Sequence, residues 1–207
     1  MKILTNGCSF TAKSHYKTWP YLLSTDALKN IAQHSAGNRW ICDSTVAELI
    51  ENNYDMVLIM WSGLSRVDEI VDEDAFNQYQ YPYFKSMNNF GIHYLHHGIN
   101  HRLITLNERE LVFQSLINIL KLQSFLKSKN IDYRFMSYMN YWDIPQKYGF
   151  NLITDQFDFS NWIFSDTDRN GLYELSQATK QYGEDKHHPN ELAHQSWADI
   201  IKKEINA

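Results

Sequence analysis

The chain is poor in cysteine, in long apolar runs and in positive charge, and each shortage narrows what it can be. It has two cysteines in 207 residues, Cys8 and Cys42. Two thiols in a chain of this length are no disulfide framework. They suit a reducing compartment, where Cys behaves as a small hydrophobe. No apolar run approaches the roughly 18 residues that mark a bilayer-spanning helix. The opening Met1-Lys2-Ile3-Leu4-Thr5-Asn6-Gly7 reaches a polar turn after two apolar residues, unlike a secretory leader. A cytoplasmic location with no membrane partner is the expectation. Lys and Arg number 19 against 24 Asp and Glu, and the net charge of -5 argues against a nucleic-acid partner. The four prolines are scattered, with no low-complexity linker and no internal repeat. A single domain over 1–207 is therefore expected.

What is present reads as βα alternation. Lys2 to Asn6 is a short strand ending at Gly7, and Asn30 to Ala32 a second. Asn38 to Asn52 has Ile41, Thr45, Val46, Leu49 and Ile50 on one helical face. Asp55 to Trp61 is a continuous apolar run, as in a central parallel strand covered on both faces. Helices are expected over Glu108 to Lys129, Leu172 to Tyr182 and Pro189 to Ile205, and a strand over Asp132 to Tyr138. Two stretches, 68–107 and 140–168, read as irregular, aromatic-rich insertions. The fold class is α/β: a three-layer α/β/α sandwich around a short parallel sheet of about five strands, flavodoxin-like in its layering. In such sheets the chemistry lies beyond the carboxyl ends of the strands. Gly7–Thr11, Ser35–Arg39 and Trp61–Arg66 all fall there.

Gly7-Cys8-Ser9-Phe10-Thr11 places a serine in a sharp turn directly after the first strand. Its hydroxyl would be exposed and its backbone N–H could face a developing oxyanion. Read alone, it is equally a βα turn with Ser as helix cap. Asp185-Lys186-His187-His188-Pro189 stands before the last helix. A serine hydroxyl needs a base, and the base needs a carboxylate to fix its tautomer. Asp185 and His188, three residues apart in a turn, could supply both. His187 competes for the base, but alternate residues of an extended segment point apart. Pro189 fixes the backbone beside His188, which is preferred. His194 reads as a partly buried or exposed helix residue.

Taken together, a serine after the first strand and Asp-x-x-His-Pro before the last helix resemble the SGNH (GDSL-type) hydrolase family. The resemblance spans the whole chain in order and spacing. Gly7-Cys8-Ser9 stands where the family has Gly-Asp-Ser, and Asp185 to His188 where it has Asp-x-x-His. Asn30-Ile31-Ala32, followed by Ser35-Ala36-Gly37-Asn38, looks like the second block, with Gly37 at the oxyanion glycine. The third block, Gly-x-Asn-Asp, is absent, and Trp61-Ser62-Gly63-Leu64-Ser65-Arg66 takes its place. Asn38, Ser62 and Arg66 are candidate substitutes for the missing donor, Asn38 being preferred; Arg66 could instead meet an acidic group of the substrate. Losing one such donor typically costs on the order of 10²–10³ in rate.

The resemblance implies a serine esterase acting on an O-acetyl or other short acyl ester of a small molecule or glycan. Ser9 would be nucleophile, His188 base and Asp185 its orienting acid. Ser9, Gly37 and Asn38 would form the oxyanion hole, with Trp61, Ser62 and Arg66 on the substrate side. No metal or organic cofactor is called for. An acyltransferase would use the same residues, and a non-catalytic glycan-binding or structural module could keep the fold.

Two further features stand outside that pattern. His93, His96, His97 and His101 could face one way on a helix and bind a transition metal, or belong to a polar lid. Tyr79, Tyr81, Tyr83, Phe84, Tyr138, Tyr141, Trp142, Trp162 and Phe164 could stack on sugar rings or simply cover the core under long loops.

Overall fold

A computed structural model describes residues 1–23, 27–71, 84–87, 92–97 and 107–206, with backbone alone at 71, 84–87 and 92–97. In chain order the strands are β1 (Ile3–Gly7), β2 (Leu28–Asn30), β3 (Met56–Trp61), β4 (Val67–Val71), β5 (Phe84–Met87), β6 (Ile92–His97), β7 (Asp132–Ser137) and β8 (Trp162–Ile163). The helices that shape the molecule are α1 (Asn38–Glu51), α2 (Glu108–Ser128), α3 (Asp143–Lys147), α4 (Asn151–Thr154), α5 (Leu172–Ala178) and α6 (Glu191–Ile205). A 3-10 turn covers Trp19–Leu22.

The main sheet has five parallel strands in the order β2-β1-β3-β7-β8. All six residues of β3 are buried, because both faces are covered. Its side chains alternate between two cores. Val57, Ile59 and Trp61 join Leu4 and Phe135 against Trp40 and Ile41 of α1 and Val112, Leu116, Ile119 and Leu122 of α2. Met56, Leu58 and Met60 join Ile3 and Met136 against Trp19, Leu172, Ala193, Trp197 and Ile201 on the opposite face. These are the three layers expected. Each large side chain so buried contributes roughly 1.5–3 kcal/mol.

The strand order fixes where a site can form. From β1 the chain moves outward to β2, then returns across β1 to β3 and proceeds to β7 and β8. The direction reverses between β1 and β3, the point at which open parallel sheets form a ligand crevice. Gly7 pairs with Met60 and Trp61 with Ser137, so the turns after β1, β3 and β7 emerge side by side.

Several expectations need correction. The stretch 68–107 is not wholly irregular: β4, β6 and β5 form an antiparallel sheet of their own. The fifth strand, β8, lies inside the second stretch read as irregular, where two residues are too few to show a pattern. The turn after β1 leads through a loop to the 3-10 turn, not directly into an α-helix. Pro189 precedes α6 by two positions and bridges Tyr182, and Asn190 caps the helix by accepting the Ala193 N–H. His93, His96 and His97 fall on a strand, so helical spacing does not apply to them, and His101 lies outside the described residues. Tyr79, Tyr81 and Tyr83 also lie outside them.

Gly171, at the start of α5, lies against the backbone leaving β7. A Cβ there would meet Ser137 O at 2.4 Å and Tyr138 C at 2.6 Å. Neither can yield as a flexible side chain would. Gly171→Ala is expected to cost about 1–3 kcal/mol, seen as a lower urea midpoint at unchanged m-value.

Candidate active site

The turn after β1 is built by close packing and buried polar contacts. A Cβ at Gly7 would meet Thr11 Oγ1 at 2.5 Å and Met60 O at 2.8 Å, so only glycine fits between β3 and the turn. Asn6, fully buried, donates its amide to Ile41 O, Ser44 Oγ and Thr45 Oγ1 of α1 and accepts the Gly7 N–H. Thr11 and Ala12 both donate N–H groups to Cys8 O, closing the turn around Ser9. The Ser9 backbone N–H meets no protein acceptor among the described residues.

The opposite partner comes from the loop before α6. Asp185 Oδ1 accepts the backbone N–H groups of His187 and His188, both at 2.9 Å. Its Oδ2 lies 2.6 Å from His188 Nδ1. The other ring nitrogen, Nε2, is 3.2 Å from Ser9 Oγ, across 179 positions of sequence. The Asp185–His188 contact sets Nδ1 as the protonated nitrogen and leaves Nε2 to accept. The His188 backbone N–H, the His187 N–H and the His188 ring hold the Asp185 carboxyl down at about 2, with partial burial opposing them. Asp185 therefore stays charged through the acidic range down to about that pH. The His187 ring is exposed and takes no part in this chain of contacts.

The loop itself is closed by Gly183 N–H to His188 O, Asn190 N–H to Gln181 O and the Tyr182–Pro189 bridge. Lys186 takes a left-handed conformation, φ 58°, which turns the chain tightly enough for Asp185 to reach two successive N–H groups. Tyr16 reaches across from the first loop and donates its hydroxyl to Pro189 O at 2.7 Å. His194, expected as a partly buried or exposed helix residue, is 1% exposed. Its Nδ1 accepts the Trp19 N–H at 3.3 Å, which requires an unprotonated Nδ1. Burial, aided by nearby His188, lowers its pKa to about 3.

The oxyanion side differs from the sequence reading. The Gly37 N–H, expected to face substrate, donates to Asp68 Oδ1 at 2.8 Å, and Asp68 Oδ2 takes the Trp40 N–H. Asp68 thus caps the start of α1 from β4. Nothing local in the sequence signals that pairing, because the partners are 31 and 28 positions apart. The Asn38 amide, also expected in the hole, is buried and bridges the β3 turn. It donates to Ser62 O and Gly63 O and accepts the Ser62 N–H. Trp61, expected to meet substrate, is instead fully buried and packs edge-on to Phe135. Ser62 Oγ is buried with no hydrogen-bond partner.

Phe10 and Tyr138 line the site. Phe10 lies 5.3 Å from the His188 ring and 4.9 Å from that of Tyr138. Arg66 lies over the Tyr138 ring, 5.9 Å from its centroid. Burial raises the Tyr138 phenol to about 12 against the pull of Arg66, so it remains a donor. The remaining aromatics are structural: Trp142 packs on Phe157, Phe159, Trp162 and Phe164 beside β8, and Tyr141 is buried. Among the described residues no cluster of three or more His, Cys, Asp or Glu could hold a metal, and no helix is long and apolar enough to cross a membrane.

No protein-family model matches the chain, and no curated protein matches it. Solved structures do. The psychrotrophic esterase EstA from a Pseudoalteromonas species, in a structure inhibited by monoethylphosphonate, is 16% identical, with a TM-score of 0.53 over 100% of this chain and 99% of that one. A catalytic mutant of an acetylxylan esterase from Geobacillus stearothermophilus is 14% identical, with a TM-score of 0.54 over 99% and 93%. A GDSL-like lipase from Bacteroides thetaiotaomicron is also 14% identical, with a TM-score of 0.54 over 99% and 87%. At these identities the likeness is one of fold.

Two outcomes follow. Unfolded His194 would take a proton near its ordinary value of 6.5, and folded His194 only near 3. Between those values the unfolded chain binds the extra proton. This part of the stability is complete above about 6.5 and shrinks as pH falls toward 3. Urea unfolding at pH 7.5 and 5 should show the loss, and His194→Gln should reduce the difference between the two. Separately, Asp68→Ala should lower stability by about 1–2 kcal/mol through loss of the α1 cap, read from the urea midpoint.

Proposed function

Because the chain has the fold of the SGNH (GDSL-type) hydrolases, we propose that it is a serine esterase with Ser9 as nucleophile, His188 as base and Asp185 as the acid that orients it. The observation that carries this is the continuous contact chain from Ser9 Oγ through His188 to Asp185, joining two segments far apart in sequence. The turn that bears Ser9 leaves β1 where the strand order reverses, which is where α/β folds place ligands.

Ser9 Oγ attacks the ester carbonyl while His188 Nε2 takes its proton. The tetrahedral oxyanion is received by the Ser9 N–H, the turn donor left without a protein acceptor. Collapse expels the alcohol, which takes the proton from His188. Water, deprotonated by the same nitrogen, then releases the acid from Ser9. Asp185 keeps the imidazole in one tautomer and stabilises its cation. The substrate is a small ester, an O-acetyl or short acyl group on a small molecule or carbohydrate. The acetylxylan esterase among the similar structures supports the carbohydrate option.

One observation favours a second reading. Gly37 N–H and the Asn38 amide, both expected in the oxyanion hole, are engaged by protein acceptors. A non-catalytic module that retains the fold would tolerate that arrangement.

A fluorophosphonate probe separates the two. The esterase is labelled at Ser9 and turns over 4-nitrophenyl acetate. Ser9→Ala abolishes labelling and lowers turnover by roughly 10⁴-fold or more. Absence of labelling in folded protein would leave the binding module standing. Asp185→Asn should preserve the fold and lower kcat by about 10³–10⁴-fold, because an amide can no longer stabilise the imidazolium.

A further inference from the structure

Arg66 is a cation that the mechanism does not use, and it stacks on the aromatic group beside the proposed base. It leaves the turn after β3, the position where the chain departs from the family's third block. Its Cγ lies 3.9 Å from where a Cβ of Gly63 would stand, and the Tyr138 hydroxyl lies 3.5 Å from the same point. The guanidinium rests over the Tyr138 ring, whose other neighbour, Phe10, touches His188. Arg66 therefore flanks the same aromatic wall as the base.

Its own bonding is incomplete. Nε is buried and has no hydrogen-bond partner. One terminal nitrogen makes a single long contact, 3.4 Å, to Ala36 O. No carboxylate lies within ion-pair distance of Arg66 among the described residues. The adjacent acid, Asp68, is occupied by the Gly37 and Trp40 N–H groups. A half-buried guanidinium with an orphaned N–H is costly unless an acceptor arrives. Its planar fork matches the two oxygens of a carboxylate or phosphate.

We infer that Arg66 forms an anion subsite beside Ser9, so that the preferred esters carry a carboxylate or phosphate group next to the scissile bond. This rests on the esterase reading above and specifies its substrate class. The Tyr138 hydroxyl, facing the same space, is the second donor to that group.

Two pairs of esters test it. Mono-4-nitrophenyl succinate against 4-nitrophenyl butyrate places the charge on the acyl side. 4-Acetoxybenzoate against 4-acetoxybenzamide places it on the alcohol side. The expected result is a kcat/KM ratio of charged to neutral ester of roughly 10 or more in one pair, carried mainly by KM. The pair that shows it identifies the side of the scissile bond. In Arg66→Met that ratio falls to about 1, and Arg66→Lys keeps part of it. Ratios at or below 1 for both pairs in the wild-type protein overturn the subsite, whether or not the variants fold. So does a loss in Arg66→Met that is equal for charged and neutral esters, since Arg66 would then serve the oxyanion common to all of them. No turnover of any ester, with no fluorophosphonate labelling, removes the hydrolase reading and the subsite together.

Discussion

The site depends on how the loop after β1 is held against the last helix. Trp19 is fully buried between them, and its backbone N–H ends on the neutral nitrogen of His194. Tyr16 adds a second tie to Pro189, one residue past His188. Behind these bonds lie Ala193, Trp197, Ala198 and Ile201, which bury α6 against the sheet. The polar ties select the relative position of two surfaces that apolar burial has already brought together. A single hydrogen bond is worth only about 0.5–1.5 kcal/mol net, so the packing supplies most of the energy and the bonds supply the register. The distance between Ser9 and His188 is set by that register.

A second set of buried polar contacts performs the same task at the other end of the crevice. Asn6 ties the end of β1 to α1, Asn38 ties α1 to the turn after β3, and Asp68 ties α1 to β4. Each is a buried side chain hydrogen-bonded to a backbone group of a neighbouring element. Together they make the three turns of the site one rigid assembly. The same bonds occupy the Gly37 N–H and the Asn38 amide, so the groups that tie these turns together are not available to a ligand.

Much of this was legible in the residues. The apolar run from Asp55 to Trp61 announced a central parallel strand, and the helix expected over Glu108 to Lys129 matches α2, because hydrophobic period follows directly from which faces are buried. The contact of Ser9, His188 and Asp185 could be anticipated because each sits in a short turn beside a clear element boundary. What could not be read depended on distant partners. Gly37 looked free because Asp68 is far away in sequence. Trp61 looked available to substrate because it ends a strand, yet strand alternation turns it into the core. The two-residue strand β8 has no period to detect. His194 looked like an ordinary helix residue because only the docked loop shows what it accepts.

The carboxylate and imidazole of the last loop share one tight turn, whereas the serine stands 179 residues away. The acid–base pair is thus a local structure, and its union with Ser9 is a contact of very long range. Contacts of that kind carry the largest loop-closure cost and form late. A chain in which the last loop has not docked leaves Ser9 with no imidazole beside it. On the esterase reading, reactivity at Ser9 is thereby a property of the completed tertiary structure, and a locally opened molecule is chemically silent.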